Sequence, residues 1–285
     1  MRYSGRTFTM AELELMRELI SSSPPKNRAR LSRLVCQRLG WYKADGGLKE
    51  MSCRVAMLRM HEDGLITLPA PQKRNGNGRP YTRRTSATDP ERPLSLPVHR
   101  LDDLSLELVA DRRESHLWNE YVQRYHYLGY HPLPGAQMRY FARSRGQVLA
   151  LLGFGAAAWK TAPRDRWIGW CPQRRQERLH LLVNNARFLI LPWVTCPNLA
   201  SKLLSLAARR LGEDWSLRYG YRPVLMESFV ESGRFAGTCY RAANWIHVGQ
   251  TKGRGKLDSR HTAKLATKDI WLYPLTKNFR HLLCF

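Results

Sequence analysis

The chain has 285 residues, few of them acidic, and no long apolar run. Asp and Glu number 23 against 47 Lys and Arg, a formal net charge of +24. No stretch of about 18 apolar residues occurs, which excludes a membrane-spanning helix. The opening MRYSGRTFTMAELELMREL lacks the apolar core and small-residue cleavage site of a secretory signal, and is read as none. Cysteine is sparse and scattered: Cys36, Cys53, Cys171, Cys196, Cys239 and Cys284 form no C-x-x-C pair and have no His at zinc-finger spacing. That argues against a disulfide scaffold and for a reducing, cytoplasmic setting. A Walker A motif, a G-x-S-x-G elbow and a zinc-deaminase signature are all missing. His126 and His131 stand five apart in a Gly/Pro loop, a poor metal cue, so no metal site is read.

What is present is enough hydrophobic sequence for a packed core, 43% with 10% aromatic. The basic excess points to a polyanionic partner, nucleic acid first and DNA above all, because neutralising phosphates releases counterions. Composition divides the chain into residues 1–70, a Pro/Gly/Arg-rich linker at 71–100, and a longer mixed segment at 101–285. Basic and acidic residues number 12 and 7 over 1–71, 7 and 2 over 72–100, and 28 and 14 over 101–285, so the excess runs throughout.

The first zone reads as three helices and a short strand. Thr9 with Glu12 has the form of a capping box, followed by the stripe Leu13, Met16, Leu19, Ile20. A second helix is expected over 27–39 and a third over 48–62, with Val55, Leu58 and Met60 as core candidates. Residues 65–69 read as a strand. That order is the order of a winged helix-turn-helix, whose recognition helix enters the major groove. Arg28, Arg30, Arg33, Lys49 and Arg54 are the candidate DNA contacts; an ordinary solvated helix face is the plainer reading. In the linker, Arg79, Arg83 and Arg84 suit a phosphate backbone or a minor groove, or serve only solubility.

The third zone alternates strand and helix signals: strands at 138–143 and 147–154, a helix near 174–182, a strand at 187–191, a helix at 198–211, a strand at 223–229, a short helix at 235–243 and a strand at 245–249. It is an α/β domain whose helices cover a mixed sheet. Over 138–250 it resembles the N-acetyltransferase fold of the GNAT superfamily. Tyr240-Arg241-Ala242-Ala243-Asn244-Trp245 falls where that superfamily has F-Y-E-K-L-G-F. The resemblance puts Tyr240 in the place of the general acid that protonates the coenzyme A thiolate. It also implies a glycine-rich phosphate cradle, but Thr195-Cys196-Pro197-Asn198-Leu199-Ala200-Ser201 keeps only Ala200 of that pattern. Acetyl-coenzyme A is therefore not expected, and the sequence names no other cofactor.

A longer resemblance covers nearly the whole chain. Tyr127-Leu128-Gly129-Tyr130, Ala157-Ala158-Trp159, Arg164-Asp165, Ile168-Gly169-Trp170, the run from Asn184-Asn185 to Val194, Asn198-Leu199-Ala200-Ser201 and Gly237-Thr238-Cys239-Tyr240 are similar to a bacterial family typified by the A component of the Druantia anti-phage defence system. Members also occur near transposase genes. The resemblance implies a defence or mobile-element setting, with a helicase or transposase as protein partner. It implies no mechanism, so a DNA-binding component and a transferase-like or nuclease-like enzyme on nucleic acid both stay open.

The chemistry-bearing candidates are Tyr240, Glu227 and Asp165 as catalytic groups and Asn184, Asn185, Arg187 and Arg164 as substrate-binding groups. Four of them have a structural alternative. Asp165 sits between two arginines and suits a turn ion pair. Glu227, if buried, needs a partner, and Arg187 on the neighbouring strand is a candidate. Asn184-Asn185 suits a turn before the strand. The glycine-basic stretch at 249–256, with Lys252, Arg254 and Lys256, is read as a phosphate-contacting loop in a C-terminal basic extension. Trp245, Tyr273 and Phe279 are candidates for stacking on bases.

Overall fold

The computed structural model describes residues 1–21, 27–72, 82–253 and 265–285. The chain divides into two compact units, Met1–Arg79 and Pro80–Phe285.

In the first unit the hairpin β1 (Arg2–Tyr3) and β2 (Arg6–Thr7) precedes α1 (Met10–Ser21), α2 (Arg28–Arg38) and α3 (Glu50–Glu62). The capping box forms: the Glu12 amide donates to Thr9 Oγ1 at 3.2 Å and the Thr9 amide to Glu12 Oε2 at 3.0 Å. Asn27 caps α2 by accepting from the Arg30 amide. Leu13, Met16, Leu31, Val35, Met57 and Met60 fill the core.

Two expectations fail here. The inward face of α3 is Cys53, Ala56, Met57 and Met60, an i, i+3, i+4, i+7 stripe. Val55 and Leu58 lie outside that stripe and are exposed. The strand expected at 65–69 is not formed among the described residues. Ile66 and Leu68 are buried as irregular chain, because no neighbouring strand offers a ladder.

The second unit carries β3 (Leu94–Ser95), β4 (Ser105–Leu108), α4 (Arg112–Tyr125), β5 (Met138–Ser144), β6 (Gln147–Ala156), α5 (Ala162–Ile168), α6 (Pro172–Arg178), β7 (Leu182–Ile190), β8 (Val194–Thr195), α7 (Leu199–Tyr219), β9 (Leu225–Glu231), α8 (Thr238–Ala242), β10 (Ile246–Gln250), β11 (Lys268–Pro274) and α9 (Phe279–Cys284). Seven strands form one sheet in the order β10-β11-β9-β7-β6-β5-β4. Neighbours are antiparallel except β7 and β9, which are parallel. This is the mixed α/β architecture that the sequence predicts.

Residues 85–100, read from composition as linker, pack on this unit. Leu94 pairs with Val194, and the Glu120 carboxylate accepts from both Thr85 and Thr88. The last stretch is no loose extension either. β11 inserts between β9 and β10 and places Ile270, Trp271 and Leu272 in the core. Trp245 and Phe279 are also buried, so neither is open to stack on a base.

The sheet's two faces follow from strand alternation. Arg139 lies over the Trp118 ring of α4, and Glu227 bonds Arg164 of α5. Tyr140 on the opposite face bonds Asp214 of α7, and Ser228 bonds Tyr240 of α8.

Candidate functional site

β7 and β9 pair only from Leu182 to Asn184 and from Leu225 to Glu227, and they part beyond those residues. A fork between parallel strands leaves side chains from both edges without ladder neighbours, and this is where the sequence-derived candidates gather. Asn184 and Asn185 lie within β7, not in a turn before it. Pairing with Gly155 and Phe154 of β6 overrides the turn preference of asparagine. One register shift in β7 changes the geometry: Gly153 faces Arg187 and Phe154 faces Asn185, so Ala186 is the extra residue.

The bulge sends Asn185 and Arg187 to opposite faces. On the α7/α8 face, the Tyr240 hydroxyl donates to Asn185 Oδ1 at 3.0 Å and accepts from the Ser228 hydroxyl at 2.9 Å. The Asn185 amide donates to the Arg187 carbonyl at 3.2 Å. Tyr240 stacks on Trp271, whose ring meets the position a Cβ on Gly237 would take. Burial raises the Tyr240 hydroxyl pKa, the Ser228 hydrogen bond opposing it, so the phenol stays protonated at neutral pH.

On the α4/α5 face, Arg164 is fully buried. It reaches Glu227 at 2.7 Å, Asp165 at 2.8 Å and the Ala158 carbonyl at 2.7 Å. Glu227 also accepts from the Ala158 amide at 2.7 Å. Asp165 accepts in addition from Thr161, Trp170 and Arg175. Burial pushes the Glu227 carboxyl up and Arg164 pulls it back; the same carboxylates outweigh burial at Arg164 and hold the guanidinium firmly charged. The Glu227 carboxyl stays raised overall, and the 2.7 Å contact between two fully buried side chains is the buried ion pair.

This geometry separates the three catalytic candidates. Glu227 and Ser228 are consecutive on β9 and face opposite sides of the sheet, so Tyr240 shares no cleft with Glu227 or Asp165. Arg164 replaces Arg187 as the partner of Glu227, and with no exposed surface it cannot meet a substrate directly. Asp165 lies within α5 rather than in a turn, and its carboxylate is held by Arg164 and Arg175.

Arg187 stays on the α4/α5 face, with no carboxylate paired to it among the described residues. Its Nη1 donates to the Ala186 carbonyl at 2.7 Å, and its enclosed Nε has no hydrogen-bond partner. Asn184 Oδ1, on the same face, is likewise enclosed and without a partner. Sequence reasoning missed the groups around them. His126 stacks on Tyr127 at 4.8 Å, Phe235 meets Tyr127 edge-on at 5.3 Å, and Arg234 lies 4.4 Å over the Tyr127 ring. The one available signal was the basic-aromatic pair Arg234-Phe235 directly after a strand.

The glycine cradle that the acetyltransferase resemblance implies is not built here. Pro197 has no N–H, the Leu199 amide is spent on the Cys196 carbonyl at 3.2 Å, and Asn198 adopts the left-handed conformation at φ 65°. These residues do not fit the phosphates of coenzyme A. Among the described residues no group of three or more His, Cys, Asp and Glu side chains is placed to hold a metal ion.

In the first unit the candidate DNA contacts divide. Arg28 donates to the Pro69 carbonyl at 2.8 Å, Arg33 pairs with Glu50 at 3.0 Å, and Arg54 is partly buried with its Nε enclosed. Arg30 and Lys49 are exposed, as are Arg83, Arg84 and Lys252 of the second unit. Arg79, Arg254 and Lys256 lie outside the described residues.

A family profile described as Druantia protein DruA matches residues 59–264. The chain belongs to this family. That match spans the forked strands, the buried ion pair and α8, so these are features of a Druantia-family chain. No curated protein matches the sequence. Similar solved structures include a GNAT-family acetyltransferase from Streptococcus pneumoniae, at 11% identity and TM-score 0.40, covering 61% of this chain and 100% of that one. A polyamine N-acetyltransferase from Drosophila melanogaster has 12% identity and TM-score 0.39, covering 60% and 100%. The ribosomal-protein-S18-alanine N-acetyltransferase from Escherichia coli has 8% identity and TM-score 0.38, covering 61% and 94%. No described helix of the chain is long and apolar enough to cross a membrane.

Proposed function

We propose that this chain is a DNA-binding component of a Druantia anti-phage defence system, acting in the bacterial cytoplasm and handing DNA to a helicase or transposase encoded alongside. One observation carries the reading. Arg30, Lys49, Arg83, Arg84 and Lys252 are exposed on two separate units and form no carboxylate pair among the described residues. Within a net charge of +24, they are among the cations left available to phosphates.

Duplex binding by the purified chain, followed by fluorescence anisotropy over a salt series, tests it. The expected result is an affinity that falls steeply with salt, by about 0.9 log units per log unit of salt for each phosphate neutralised. Arg30→Gln and Lys49→Gln each lower that slope by about 1 and weaken unrelated sequences alike. Absence of binding at low salt sinks the proposal.

A second reading, an enzyme on nucleic acid in defence or transposition, draws on the buried Tyr240–Asn185–Ser228 network, a protonated phenol at the fork. Tyr240→Phe separates the two readings. Restriction of phage lost with DNA binding intact supports chemistry; restriction retained in full removes Tyr240 from the mechanism.

A further inference from the structure

Arg187 is a cation in the wrong surroundings. Its Nε is enclosed without a partner, no carboxylate lies within ion-pair distance among the described residues, and a second guanidinium, Arg234, stands over the Tyr127 ring close by. Burial lowers the Arg187 pKa below its ordinary value, and only the Tyr127 and Tyr130 hydroxyls oppose that. His126 feels the same field: burial, then the Arg187 and Arg234 charges, press its pKa down to about 4. A half-buried charge without a counter-ion is costly, and the usual remedies, an ion pair or several hydrogen bonds, are not built here. The neighbouring Asn184 Oδ1 is an enclosed acceptor without a donor. Beside these groups Phe235 presents 46% of its surface to solvent, Tyr127 stacks with His126, and Arg234 lies over the Tyr127 and Phe235 rings. Two guanidiniums acting on one histidine and an exposed ring together match an anion attached to a flat heterocycle.

We infer that this mouth of the β7/β9 fork binds a nucleotide, its phosphoryl group on Arg187 and Arg234 and its base on the exposed Phe235 ring. The inference rests on the nucleic-acid reading above and narrows it to one site and one chemical unit. Arg gives bidentate contact to a phosphoryl group, and base–aromatic stacking is indifferent to base identity. The nucleotide can belong to a strand end or be free in solution, and the two sources differ in one measurable way.

The test is titration of the full chain with deoxyadenosine monophosphate, deoxyadenosine and inorganic phosphate, with duplex anisotropy on the same samples. The expected order is nucleotide at least tenfold tighter than either the nucleoside or phosphate alone. Arg187→Gln lowers nucleotide affinity at least tenfold while duplex affinity at fixed salt holds. Phe235→Ala, an exposed position that leaves the core intact, lowers it severalfold even if the Arg187 variant folds poorly. Competition by a 5′-phosphorylated single strand, and none by its unphosphorylated form, assigns the site to strand ends; indifference to both assigns it to free nucleotides. Equal affinity for nucleotide and nucleoside, or no effect of either substitution in a folded chain, overturns the inference. Failure of the duplex titration alone overturns only the broader reading, since the nucleotide titration does not depend on it.

Discussion

Asn185 and Arg187 stand two residues apart on β7 yet face opposite sides of the sheet, because Ala186 is bulged out between them. In a regular strand they would share a face, and the polar network of Tyr240 and the unpaired guanidinium would crowd one site. The bulge divides the fork into a satisfied side, where Asn185, Ser228 and Tyr240 close on one another, and an unsatisfied side around Arg187.

The satisfied side makes a first prediction. Tyr240→Phe removes the donor to Asn185 Oδ1 and strands that buried oxygen. Leaving a buried acceptor unpaired costs about 1–3 kcal/mol. Urea denaturation followed by tryptophan fluorescence is expected to show a lower midpoint with unchanged slope. An unaltered midpoint would mean that water replaces the phenol and that the network carries little stability.

The Arg164–Glu227 pair predicts non-additivity. Glu227→Leu alone leaves the buried guanidinium with Asp165 as its remaining carboxylate, and Arg164→Met alone leaves a buried carboxylate with only the Ala158 amide. Each single change is expected to destabilise by about 3–5 kcal/mol, as breaking buried pairs does. The double substitution is expected to cost less than either single, since apolar groups of similar volume need no partner. A double-mutant cycle on denaturation free energies measures this, and simple additivity of the singles contradicts the pairing.

How much of this was readable beforehand depends on sequence separation. The hairpin of β5 and β6 was legible from the nearly all-apolar run at 147–154 and the short turn Ser144-Arg145-Gly146 before it, and both strands start where expected. The start of α7 was also legible from its local periodicity, and α8 falls within the expected 235–243. The Arg164–Glu227 contact spans 63 positions and no local signal connects its ends. Asn184 and Asn185 looked like a turn because asparagine favours turns, and only pairing with β6 makes them strand. β11 escaped notice for the same reason. Its segment follows a glycine-basic stretch and becomes core only by insertion between two strands that precede it.

Glu120 sets an acid limit. Burial works against its charge, but the Thr85 amide, the Thr88 and Thr85 hydroxyls and Arg124 outweigh it and hold the carboxyl below its usual range. A carboxyl depressed in the folded state contributes its full stability above its unfolded pKa, near 4.5, and loses it as pH falls through the lower folded value. Thermal melts across the acid range are expected to show the midpoint dropping below about pH 4.5. Glu120→Gln is expected to lower the midpoint at neutral pH and to flatten this drop. A variant as acid-sensitive as the parent assigns the effect to other carboxylates.

Gly237 makes the sharpest steric prediction. It precedes α8 in the left-handed region at φ 67°, and a Cβ there would stand 2.7 Å from the Trp271 ring. Alanine therefore meets two penalties. The backbone conformation is poor for any residue with a Cβ, at about 1–2 kcal/mol, and the ring must shift. Trp271 is stacked on Tyr240 and is held in β11 between β9 and β10, so it has little room to move. Gly237→Ala is expected to destabilise the second unit by about 2–4 kcal/mol and to disturb the Tyr240 hydroxyl. Gly233, also left-handed at φ 84° but with nothing within 4 Å of a Cβ, serves as the control, since alanine there carries the conformational penalty alone. Equal losses at the two positions would show that backbone strain accounts for the whole effect and that Trp271 yields freely.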